Sequence, residues 1–89
     1  MTSTLTADDF RALGFVDNAF WKDVTSEIHL ITNPDADSAI RVRESGFEGC
    51  RWYVEVETFG KRHRWNATGH INTLAELNRM LDFCELKHF

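Results

Sequence analysis

Arg51-Trp52-Tyr53-Val54-Glu55-Val56-Glu57-Thr58-Phe59 is the stretch on which the fold turns. Trp52, Val54, Val56 and Thr58 alternate with Tyr53, Glu55, Glu57 and Phe59, and a period of two belongs to a strand with one face buried. Cys50 adds one more step to the apolar set. Next along the chain, Gly60-Lys61 fits a two-residue type II′ turn, which needs positive φ at its first position. That turn predicts a hairpin in which Val56 faces Trp65 and Thr58 faces His63 on one side. On the other side Glu57 faces Arg64 and Phe59 faces Arg62. Apolar then meets apolar and opposite charges meet, whereas a slip of one residue would put Trp65 beside the charged face.

Toward the N-terminus the same period recurs. Val24, Ile28 and Leu30 fall on one side of a strand over residues 24–32, and Asn33-Pro34-Asp35-Ala36-Asp37 supplies the turn after it. Ile40 and Val42 alternate with Arg41 and Arg43 in the next strand, before Ser45-Gly46-Phe47-Glu48-Gly49 breaks the chain. Phe15 to Asp23 has no clear period, and Phe20 and Trp21 would suit either a short extra strand or a plug at one end of the core.

Helix signals flank the strands. Thr6 is placed to cap a helix over residues 7–13 by accepting from the Asp9 amide, with Asp8 and Asp9 on the positive end of the helix dipole. Leu5 and Phe10 have the spacing of a hydrophobic staple, and Gly14 followed by Phe15 that of a Schellman ending. Near the other end, Thr73-Leu74-Ala75-Glu76 reads as a capping box. Leu74, Leu77, Met80, Leu81 and Cys84 then form an apolar stripe over residues 74–86.

The sum is α+β: an N-terminal helix, a four-stranded antiparallel meander and a C-terminal helix, with both helices packed on one face of the sheet. Trp52, Val54, Val56, Trp65, Leu77 and Leu81 are the expected core. A chain of 89 residues has room for one such core, and its 43% hydrophobic, 27% charged composition is that of a protein that folds alone.

Asp9-Phe10-Arg11-Ala12-Leu13-Gly14-Phe15, the strand-rich middle and Thr73-Leu74-Ala75-Glu76-Leu77-Asn78-Arg79-Met80-Leu81 together resemble a loose class of small uncharacterised proteins in bacterial and phage genomes. The resemblance spans nearly the whole chain. It implies the helix, meander, helix layout and brings no catalytic or binding residues with it.

Charge and chemistry narrow the function. A net charge of −4 is wrong for a protein whose task is to coat nucleic acid or anionic membrane. Residues 1–37 carry seven carboxylates against Arg11 and Lys22, which suits a basic partner surface. An acidic inhibitor or adaptor of the kind phages and mobile elements carry would fit that size and charge. Cys50 and Cys84 are too few for a disulfide framework and read as reduced core thiols. The first residues have neither the basic nor the apolar region of a secretory leader, and no apolar run is long enough to span a membrane, so a cytoplasmic protein without membrane contact is expected.

No local pair among His29, Cys50, His63, His70, Cys84 and His88 has metal-ligand spacing, so no metal or other cofactor is expected. Thr58 opposite His63 is the one local pairing of nucleophile and base, and it reads more simply as a hydrogen-bonded sheet margin. With no phosphate loop and no nucleophile elbow, an enzyme is not expected. The solvent face of the last hairpin is the richest surface. Arg51, Tyr53, Phe59, Arg62 and Arg64 are the candidate binding residues, because aromatics and Arg concentrate binding energy at interfaces. A protein partner or a second copy of the chain is the first expectation. Single-stranded nucleic acid, stacked on the aromatics between the cations, is the alternative.

Overall fold

The computed structural model describes residues 4–18, 28–34, 37–45, 48–59 and 66–89. In chain order they form α1 (Ala7–Ala12), β1 (Val16–Asp17), β2 (His29–Thr32), β3 (Ser38–Glu44), β4 (Trp52–Thr58), β5 (Asn66–Ile71) and α2 (Leu74–Phe83). The five strands make one antiparallel sheet in the order β1-β2-β3-β4-β5, so every neighbour in sequence is a neighbour in space.

The class is the expected α+β, with five strands in place of four. The extra one is β1, two residues whose Val16 pairs with Ile31 and Asp17 with Leu30. It lies just after Phe15, in the stretch without a clear period; Phe20 and Trp21 are outside the described residues. The predicted first strand survives as His29–Thr32, and Val24 is likewise outside them.

Both helices start as their sequences dictate. Thr6 Oγ1 accepts from the Asp9 amide while Asp9 Oδ2 accepts from the Thr6 amide, and Thr73 and Glu76 form the same reciprocal box. Their endings are also alike. In α1 the Phe15 amide donates to Phe10 O and the Gly14 amide to Arg11 O, with Gly14 at φ +107°. In α2 the Leu86 amide donates to Leu81 O and the Glu85 amide to Asp82 O. Here a glutamate occupies the left-handed position, at φ 60°. That ending stops α2 at Phe83 and turns Leu86 back onto the core, where the apolar stripe alone predicts helix to residue 86.

One face of the sheet is covered. Phe10 from α1 and Leu77 and Leu81 from α2 join Leu30, Ile40, Val42, Trp52, Val54 and Val56 in one buried cluster. Rings run through it edge to face: Phe10 meets Trp52 at 4.9 Å between centroids and Phe15 at 5.1 Å. The Trp52 indole N–H donates to Leu5 O at 2.7 Å, and the Leu5 amide donates to Asn72 O at 2.7 Å. The residues before α1 are thus fastened to β4 and to the end of β5. Leu77, Leu81, Trp52, Val54 and Val56 are core residues as expected, while Trp65 lies outside the described residues.

The register of the last hairpin is not the expected one. Val56 pairs with Ala67 and Glu57 with Asn66, two residues further along than the Gly60-Lys61 turn demands. A shift of two leaves each side chain on its original face, so the apolar pattern satisfies both registers and only turn chemistry favoured the wrong one. Thr58 faces Ser38 of β3, and both are fully buried. Cys50, expected on β4, precedes it and is half-buried; Cys84 is buried, and burial pushes its thiol pKa up.

Candidate binding face

The side chains that alternate with the core on β2 to β5 face away from the helices. Antiparallel register sorts them into rows across the strands. Ile31, Arg41, Glu55 and Thr68 form one row, and His29, Arg43, Tyr53 and His70 the next. Arg41 lies opposite Glu55 and reaches diagonally to Glu57, 3.4 Å from Oε2.

The second row is the more organised. Arg43 lies over the Tyr53 ring with its guanidinium carbon 4.5 Å from the centroid, a cation–π contact. From the other side the His70 ring tilts against Tyr53 at 5.2 Å. His70 Nδ1 is in turn 2.9 Å from Ser45 Oγ, which ties the row to the residue just after β3. Three strands therefore hold one aromatic ring between a permanent cation and an imidazole. Tyr53 and Arg43 are half-buried and His70 is exposed, so the assembly is braced at its base and open at its top.

Of the expected binding residues, Tyr53 alone belongs to this row. Arg51 precedes β4, its guanidinium carbon 5.4 Å from the Trp52 ring centroid, and its amide donates to Asn72 Oδ1 at 2.7 Å. Phe59 follows the other end of β4, where its amide donates to Asp37 O. Eight residues of extended chain put Arg51 and Phe59 about 26 Å apart, too far to serve one compact anchor. Arg62 and Arg64 are outside the described residues, as is His63. Arg43 and His70 were missed because each is unremarkable within its own strand; strand pairing alone brings them to Tyr53.

The base of the sheet is held by one side chain that no sequence motif marks. Asn72 Oδ1 accepts from the Arg51 amide and Asn72 Nδ2 donates to Gly49 O at 2.8 Å. Its own amide donates to Glu76 Oε1, so Asn72 joins the turn before β4 to the cap of α2.

Among the described residues no three of His, Cys, Asp and Glu stand where they could hold a metal ion, and no helix is long and apolar enough to cross a membrane. Comparison with known proteins finds no family model, no curated protein and no solved structure that matches the chain.

Proposed function

We propose that the protein is a small non-catalytic binding module that docks another protein on the open face of its sheet. The observation that carries this reading is the Arg43-Tyr53-His70 assembly. Tyr and Arg are enriched among residues that dominate interface energy, and here both are fixed in place before any partner arrives. Arg41, Glu55 and Glu57 in the neighbouring rows give the surroundings mixed charge, as the polar rim of an interface has.

The second reading is binding of single-stranded nucleic acid through the basic and aromatic hairpin face, with Arg51, Lys61, Arg62 and Arg64 as its cations, of which Lys61, Arg62 and Arg64 are outside the described part of the chain. Against it stands the same Tyr53: Arg43 already lies over its ring, and a stacked base would have to displace that cation.

Affinity capture from native lysate, with and without nuclease, separates the two. A protein should be retained after nuclease treatment and lost with the Arg43→Ala/Tyr53→Ala double variant. Retention of nucleic acid alone, with affinity falling by a slope of about −0.7 per neutralised phosphate as salt rises, would replace the first reading by the second.

A further inference from the structure

We propose that the protein also pairs with a second copy of itself, edge to edge along β5, with the two α2 helices meeting over the join. β5 closes one end of the sheet, and among the described residues no strand pairs with its outer edge. Proteins normally blunt such an edge with Lys, Pro, a bulge or brevity. Asn66-Ala67-Thr68-Gly69-His70-Ile71 has six residues, none of them Lys, Arg, Asp, Glu or Pro, and it runs against β4 without a bulge.

Beside this edge an open groove of about 480 Å³ separates β5 from α2. Ala67, Gly69, Ile71, Met80 and Phe83 line it, together with Glu76 and Arg79. Phe83 is 64% exposed at its border, one of two large apolar side chains so exposed among the described residues.

A second copy fits this surface in register, shape and charge. Directly opposed residues of an antiparallel pair share a face, so a two-fold axis perpendicular to the sheet must pass midway between one residue and its own twin. With the two Gly69 residues facing each other across the axis, Ala67 opposes Ile71 of the second copy on the helix-covered side and Thr68 opposes its His70 on the open side. A Cβ on Gly69 would come within 3.3 Å of Met80 Sδ, so the glycine leaves the room in which both Met80 side chains pack over the join. The same axis brings the helices side by side and antiparallel. Glu76 and Arg79 both line the groove, so the acid of each copy comes near Arg79 of the other, and opposite charges attract across the interface while Glu76 Oε1 keeps its cap bonds to the Asn72 and Thr73 amides.

Sedimentation over a concentration series should show a reversible dimer of the 10.3 kDa chain. Phe83→Glu should weaken it on the order of thirtyfold, the loss of an exposed apolar anchor, while Val16→Glu, on the opposite edge strand, leaves it unchanged. Register is read by cross-linking in a Cys50→Ser background. A mixture of Thr68→Cys and His70→Cys chains should form a disulfide under mild oxidant far faster than either alone. Opposed Cα atoms lie about 5 Å apart, and like residues in this register are diagonal and beyond the reach of a bridge. A chain still monomeric at about 0.5 mM, a dimer indifferent to Phe83→Glu, or cross-linking as fast in the single variants would each overturn the proposal.

Discussion

Trp52 and Tyr53 are adjacent in sequence and face opposite ways, and the two sides of the sheet differ as these two rings do. Trp52 is wholly buried, with Phe10 against it and its indole N–H spent on Leu5 O. Tyr53 keeps one side to solvent and is steadied by Arg43 and His70. On the covered side stability comes from excluded water and close packing. On the open side the rows are held by charge and ring contacts that water also reaches, which add little to stability.

The sharpest way to break this contrast is to truncate both rings. Trp52→Ala should cost about 3–5 kcal/mol, enough to unfold much of the population of a domain this small. Tyr53→Ala should cost under about 1 kcal/mol, the range of an exposed cation–π contact. Equal losses in urea melts would mean that the open side is part of the core.

A middle effect is expected at Asn72, where the two sides end. Asn72→Ala leaves the Arg51 amide and Gly49 carbonyl, both exposed, without their side-chain partner and should cost about 0.5–1.5 kcal/mol. If the variant melts with wild type, water replaces that side chain at no cost and the turn before β4 is not held by it.

The smallest effect carries the opposite sign. Glu85 closes α2 in the conformation that Gly14 adopts after α1. Glu85→Gly removes the left-handed strain of a side chain and should stabilise the protein by about 0.5–1 kcal/mol. A loss instead would show that the Glu85 side chain contributes more than its backbone costs.

The covered side was legible in the sequence because it rests on local periods. Thr6, Thr73, Gly14, Leu77 and Leu81 each act within a turn or two of their own position, and the alternation from Trp52 to Thr58 names the buried face outright. β1 was not legible, since two residues carry no period. The β4–β5 register was missed because Ala67 and Trp65 have the same parity, so the pattern is blind to a shift of two. The candidate site suffered most from this blindness. Tyr53 could be named from its own strand, but Arg43 and His70 become its neighbours only when three strands are aligned, and Arg51 and Phe59 looked close only along the chain.

The bond from the Trp52 indole to Leu5 spans 47 residues, whereas each strand of the meander pairs with the next in sequence. Folding therefore has two classes of event. Hairpins close over short loops at small entropic cost, and the segment before α1 must wait for β4, and for Asn72 beyond β5, before it has anything to bind. Substitutions at Leu5 or Phe10 should then act on the unfolding rate more than on the folding rate, making that docked segment the latch that sets how long the native state lasts.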